Sequence, residues 1–179
     1  DDEFAKDFSE YDTLNEWEDE ILANLQERRE TSVREKFARE VMAKIIADSD
    51  IPIDDDLKEE MTQIYYDDFL DELEMNQIPL ELYCKRSGHS EDEIYADKEL
   101  EAVEAIQAQS VLHAVAAAEK ISITPEELEE ELRNIALEEE EDPKEFVETL
   151  EDEDVENIAD QLTMDKTMAF ILDSVVFED

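Results

Sequence analysis

The sequence contains very little glycine, proline or cysteine. One glycine and four prolines occur in 179 residues, and the prolines stand near the ends of segments with helical apolar spacing. Phosphate-binding loops, dinucleotide-binding fingerprints and nucleophile-elbow motifs each need several glycines, so the sequence excludes them. Prolines at segment boundaries and almost no glycine predict long helices joined by short links.

Residue types that bind metals or attack substrates are equally scarce. Cys84 is the only cysteine, which excludes an internal disulfide and is typical of a reducing compartment. His89 and His113 are the only histidines, and no C-x-x-C, H-x-x-x-H or H-E-x-x-H spacing occurs. The acidic runs lack the turn glycine of a calcium loop. We therefore predict no catalytic residue, no cofactor and no metal site, and a protein that is not an enzyme.

Long apolar runs are also missing. No run approaches the ~18 residues that indicate a membrane-spanning helix, and no signal peptide opens the sequence. Together with the single cysteine, this predicts a cytoplasmic location. The first residue is Asp1 rather than methionine, so we expect a segment of a longer protein.

Basic residues are few, and their distribution is uneven. Fifteen Lys and Arg stand against 57 Asp and Glu, for a formal net charge of −42. This charge disfavours nucleic acids and anionic membranes as partners. Residues 28–44 are locally basic, whereas residues 121–179 are strongly acidic, and we expect these two regions to attract one another.

Helical periodicity and helix-capping signals account for most of the chain. The segment from Ser90 to Lys120 carries apolar residues at spacings of three and four and opens with a capping box, Ser90 and Glu93. Further capping boxes are predicted at Thr13 with Glu16 and at Thr124 with Glu127, and Gly88 is expected to end a helix in the left-handed conformation. Strand-type alternation is nearly absent, which predicts an all-α protein. We predict one domain over residues 1–179, with a long helix at about 13–47 in which the skipped stripe allows a break or bend near residues 30–32, further helices at about 54–150 and a last helix at about 155–177.

Apolar residues on two of the predicted helices are candidates for binding another polypeptide. Methionine adapts its shape to varied partners, and aromatic residues supply large contact areas. Each residue alone is better explained as part of a core, because helical stripes usually face one. As a set they form a candidate client-binding group: Met61, Tyr65, Tyr66, Phe69, Met75, Met164, Met168 and Phe170.

Several motifs, taken in order, resemble the C-terminal part of trigger factor, the bacterial ribosome-associated chaperone family. They are Asp1–Asp7 with Tyr11–Leu14, Val33–Lys36 leading to Ile51–Ile53, the short helix ending at Gly88, Ala118–Ile121, Ile123–Glu127 and Asp142–Glu145. Each motif is weak alone, but their order and spacing cover essentially the whole chain.

The resemblance implies an elongated helical chaperone domain with two projecting arms, made from the helices at about 54–150, and related in shape to the chaperone SurA. It implies an ATP-independent chaperone that holds nascent or unfolded polypeptides on dispersed apolar patches. The surface is more acidic than the family leads us to expect, so basic or salt-adapted clients suit it better. The family's isomerase domain and ribosome-binding loop are not found in this sequence, so ribosome contact is expected only through a domain outside it. The alternatives are a helical scaffold for one fixed partner and, through exposed apolar faces, a homodimer.

Overall fold

The computed structural model describes residues 2–176, and within that range it contains helices and no strand. The all-α prediction is confirmed. The helices, in chain order, are α1 (Asp2–Phe8), α2 (Leu14–Ala47), α3 (Asp55–Met75), α4 (Leu80–Ser87), α5 (Glu91–Glu119), α6 (Pro125–Glu138), α7 (Pro143–Thr149) and α8 (Asp152–Asp173). The chain forms two compact units, one up to Lys44 and the other from Ile45 onward.

The first unit consists of α1 and most of α2. The Asp2 carboxylate accepts a hydrogen bond from the backbone N–H of Leu14 at 3.0 Å, which ties the start of α1 to the start of α2. The ring of Phe4 lies 4.7 Å from that of Phe8 and 6.0 Å from that of Trp17, measured between centroids. A small aromatic cluster therefore joins the two helices.

α2 is one uninterrupted helix of 34 residues, so the helix does not break near residues 30–32. No glycine or proline lies within α2, and its Glu and Arg residues there favour helix. The predicted capping box at its start is present. The Glu16 N–H donates to the Thr13 hydroxyl at 3.2 Å, and the Thr13 N–H donates to the Glu16 carboxylate at 3.1 Å.

The second unit packs around α5. Both α3 and α8 pack against α5, while α6 packs against α7 and α8. The buried side chains of α5 are spread along its length: Ile94, Ala102, Ile106, Val111 and Ala116. Small alanines among them allow neighbouring helices to approach closely.

The contacts of α3 lie in the first third of α5. The Tyr66 and Tyr95 rings meet edge to face with centroids 5.2 Å apart, and the Lys58 ammonium lies 2.7 Å from the Glu99 carboxylate. This hydrogen-bonded ion pair raises the pKa of Lys58. Aromatic and charged contacts therefore both fix the N-terminal third of α5 to α3.

The far end of α5 lies near α6 and α8. The Lys166 ammonium of α8 donates to the Ser122 carbonyl at 3.1 Å and to the Glu127 carboxylate at 2.7 Å. Glu127 also accepts a hydrogen bond from the Thr124 N–H in the capping box of α6. The Lys166 contact and this backbone bond lower the pKa of Glu127.

We expect Lys166→Met to lower the free energy of unfolding at neutral pH and to do so less in acid. Because the pKa of Glu127 is lowered in the fold, its contribution is present above the ordinary glutamate pKa of about 4.3 and is lost as the pH falls through the lowered value. Urea unfolding at a series of pH values measures the difference in free energy of unfolding between the parent and Lys166→Met. Lys144→Met, at an exposed lysine of α7, is the control, and a gap independent of pH would contradict the assignment.

Helix ends in the second unit follow the predicted capping chemistry. The predicted boxes at Ser90 and Thr124 are both present, and Asp54 caps α3 by accepting hydrogen bonds from two backbone N–H groups. Gly88 ends α4 in the left-handed conformation, with φ of 81°. Lys120 ends α5 in the same conformation, with φ of 57°, although it carries a side chain.

The left-handed ends of α4 and α5 give opposite expectations on substitution. We expect Gly88→Ala to destabilise the protein by about 1 kcal/mol, because a Cβ is strained at this φ although it meets no atom within 4 Å. We expect Lys120→Gly to stabilise it by about 0.5 kcal/mol, since the strain is removed but the unfolded chain becomes more flexible. Urea unfolding followed by circular dichroism measures both. Equal signs for the two variants would contradict this account.

α8 begins at Asp152, three residues before the predicted start at Val155, and ends at Asp173 rather than near Phe177. The early start follows from the acidic run, because the Asp154 carboxylate accepts a hydrogen bond from the Glu151 N–H at 2.9 Å. Carboxylates in the first turn are also favoured by the helix dipole. Phe177 lies outside the described residues.

Candidate functional site

α3 has two apolar faces, and only one of them is buried. The buried face carries Thr62, Tyr66 and Leu73, all less than 9% exposed. The Thr62 hydroxyl is satisfied by donating to the Lys58 carbonyl at 2.7 Å. The face that packs on α5 is therefore centred on these residues rather than on the line through Met61 and Tyr65.

Tyr66 is a structural residue of this contact. Its hydroxyl donates to the Glu91 carboxylate at 2.9 Å, and its ring packs between Tyr95 and Phe69. Burial, followed by the hydrogen bond to Glu91, raises the pKa of Tyr66 to about 12. The phenol thus stays protonated at neutral pH and joins α3 to the first turn of α5.

Phe69 borders a cleft of about 460 Å³ between α3, α4 and α5. Its ring meets that of Tyr83 edge to face at 5.1 Å, and the Lys98 ammonium lies 5.5 Å above its centroid. Lys98 is held there by the Glu101 carboxylate at 2.8 Å. The cleft has apolar walls and charged groups at its rim, including Glu72 and Asp97. It can accept an apolar side chain.

The opposite side of α3 is the exposed outer face. It carries apolar residues at spacings of four, three and eleven, which place them on one side of a helix. Leu57 is 42% exposed, Ile64 45% and Met75 84%, and Met61 between them is partly exposed. We name Leu57, Met61, Ile64 and Met75 the outer face of α3.

The candidate residues on α8 differ from one another in exposure. Met164 is 9% exposed and belongs to the core, Met168 is partly exposed, and Phe170 is 41% exposed. Of the eight candidates, Tyr66 and Met164 are thus buried, Met75 and Phe170 are well exposed, and the other four are intermediate. The structure does not bring α3 and α8 together at one site, since each packs separately on α5.

Sequence reasoning did not select other exposed apolar residues. Leu100 is 63% exposed, Leu137 60% and Val147 43% in the second unit, and Phe8 is 70% exposed in the first. Each lies within a helix of the structure. Their exposure depends on which helices pack, which periodicity does not reveal.

Metal-ligating and membrane-spanning features are not found in residues 2–176. No group of three or more His, Cys, Asp or Glu side chains there is placed to hold a metal ion. None of the helices in that range is long and apolar enough to cross a membrane. Cys84 is a partly buried free thiol. The described surface combines exposed apolar side chains with many carboxylates.

Comparison with known proteins agrees with this arrangement of helices. The family model described as "Bacterial trigger factor protein (TF) C-terminus" matches residues 13–173. The chain belongs to the trigger factor C-terminal family. This is the family's chaperone region rather than its prolyl-isomerase domain, so the matched residues are not an enzyme domain.

Curated relatives show the same similarity. The trigger factor of Agathobacter rectalis is 31% identical over 94 residues, 52% of this chain and 21% of that protein. The trigger factor of Listeria welshimeri is 31% identical over 103 residues, 57% of this chain and 24% of that protein. The matched part of the chain thus spans less than a quarter of these relatives. No solved structure gives a significant match.

Proposed function

We propose that this chain is an ATP-independent chaperone domain that holds unfolded or nascent polypeptides on exposed apolar helix faces. Membership of the trigger factor C-terminal family supports this proposal. The observation that carries it is the outer face of α3, where Leu57, Ile64 and Met75 remain between 42% and 84% exposed. We place the domain in the cytoplasm, with unfolded proteins as its partners.

The mechanism follows from the small size and separation of the apolar surfaces. Each exposed face buries a few side chains of a client, and apolar burial is worth about 25 cal/mol per Å². Such contacts are weak and reversible individually, so a client segment is released without a nucleotide-driven step. Methionines at positions 61 and 75 adapt to different side chains.

The acidic surroundings of these faces contribute solubility. With a net charge of −42, complexes repel one another and remain dispersed. Basic segments of a client are attracted to the same surface. Apolar contacts thus hold the client, and charge repulsion prevents the complexes from aggregating.

Light scattering of a chemically denatured enzyme, such as citrate synthase, diluted into buffer tests this proposal. We expect the chain to suppress aggregation near equimolar ratio, with no dependence on ATP. Polyglutamate of equal total charge is the control for a purely electrostatic effect. Unchanged aggregation at roughly tenfold molar excess of the chain, or equal suppression by polyglutamate, would overturn it.

A further inference from the structure

A second surface lies on α2, in the first unit. Seven positions separated by four, four, three, four, four and three residues fall on one side of this helix, because such spacings keep to the 3.6-residue period. We name them the hydrophobic–basic face: Trp17, Ile21, Leu25, Arg28, Ser32, Lys36 and Arg39. Its first half is apolar and its second half is mainly basic, and by the same period Glu18 and Glu35 also fall on this side of the helix.

Most of the hydrophobic–basic face is exposed, while Trp17 at its start is partly buried beside the Phe4 ring. Ile21 is 44% exposed and Leu25 57%, and the three basic residues are exposed as well. Within the described residues these three cations make one ion pair, between Lys36 and Glu40 at 3.9 Å. Both side chains of that pair are exposed by more than 60%, so it contributes little.

The length of uncovered helix makes this exposure informative. Met42 is the one buried residue of α2. The seven turns of α2 that precede Met42 therefore expose apolar side chains to water. Isolated helices are marginally stable, and most helical stability in proteins comes from packing of an apolar face. A partner that covers Ile21 and Leu25 would therefore stabilise α2 as well as bury apolar area.

We propose that the hydrophobic–basic face binds an acidic amphipathic helix of another polypeptide. From Trp17 to Arg39 the face is about 33 Å long, at ~1.5 Å per residue. An occupant helix with apolar residues in one half and carboxylates in the other would cover Trp17, Ile21 and Leu25 and pair with Arg28, Lys36 and Arg39. Although the protein has a net charge of −42, the cations of this face are complementary in charge to an anionic partner.

Charge distinguishes this occupant from others. A nucleic acid is repelled by the acidic chain as a whole and would leave the apolar half of the face uncovered. A second copy of the chain carries the same net charge, so close approach of two copies is electrostatically costly. A helical segment of another protein satisfies both halves of the face.

Trp17 makes the proposal measurable, because it is the single tryptophan of the chain. The probe is a tryptophan-free peptide of about 22 residues, with leucine at helical spacing in one half and glutamate at the same spacing in the other. We expect the full chain to bind it with a blue shift of Trp17 emission. A counterpart with lysine in place of glutamate, and one with serine in place of leucine, should each bind about tenfold more weakly or not at all.

Variants of the chain separate a local effect from net charge. Arg28→Gln, Lys36→Gln and Arg39→Gln together should weaken binding of the acidic peptide about tenfold, since three ion pairs are lost. The control, Arg34→Gln, Lys44→Gln and Arg133→Gln, removes the same charge away from the face and should change binding less than about twofold.

Three results would overturn the proposal. They are no blue shift with the acidic peptide, equal loss in the two triple variants, and tighter binding of a single-stranded oligonucleotide than of the peptide. Sedimentation of the free chain checks the remaining occupant, because self-association abolished by the Arg28, Lys36 and Arg39 substitutions would assign the face to a second copy and overturn the proposal.

Discussion

Tyr66→Ala should lower the free energy of unfolding by about 3–4 kcal/mol, the largest effect that we expect from one substitution in this chain. The side chain is 8% exposed, contacts Tyr95 across the α3–α5 interface, and donates to Glu91. Removing the ring leaves a cavity and an unpaired carboxylate beside it. Urea unfolding followed by far-UV circular dichroism measures the loss.

Tyr66→Phe keeps the aromatic ring and removes only its hydroxyl. We expect a loss of about 1 kcal/mol, because only the hydrogen bond to Glu91 is removed. The parent phenol has its pKa raised to about 12, so its stabilising effect is present below the unfolded pKa of about 10 and is lost as the pH rises towards 12. The difference in free energy of unfolding between the parent and Tyr66→Phe should therefore narrow as the pH rises from about 10 to 12. Met75→Ala, at a residue 84% exposed, is the control and should change stability by less than about 0.5 kcal/mol.

The combined variant Leu57→Ser, Ile64→Ser and Met75→Ser should bind unfolded clients about tenfold more weakly, because each exposed side chain contributes a fraction of a kcal/mol on burial. These residues form the exposed outer face of α3, opposite its buried side. Light scattering of the denatured client as a function of chain concentration measures the effect. A shift of the half-protection point to higher concentration is the expected result.

A matched variant controls for damage to the helix itself. Glu59→Ser, Glu60→Ser and Glu74→Ser place the same residue type at exposed positions of α3. This variant should keep its protection of the client while losing a similar amount of helix propensity. Equal protection by both variants would show that clients are held elsewhere, for example near Leu100 or Leu137.

Much of the fold could be predicted because the local chemistry is unambiguous. The boxes at Ser90 and Thr124 and the left-handed Gly88 depend on hydrogen bonds within a few residues, which the sequence contains in full. The break expected near residues 30–32 is absent for the opposite reason. There the apolar stripe skips, but the backbone has no residue that breaks a helix.

The candidate site was harder to predict because exposure is a property of packing. Tyr66 and Met61 lie on different sides of α3, and both have apolar neighbours at helical spacing. The side of α3 that packs on α5 is decided by shape and by partners on α5 rather than by neighbours on α3. Tyr95 lies 29 positions after Tyr66, and Glu99 lies 41 positions after Lys58. Periodicity therefore could not distinguish the buried face of α3 from its exposed face.

α5 meets α3 near Tyr95 and is followed by the α6–α8 contacts beyond Lys120. A single continuous helix therefore connects two sets of packing contacts, so that one end of α5 can unfold locally while the contacts at its other end remain.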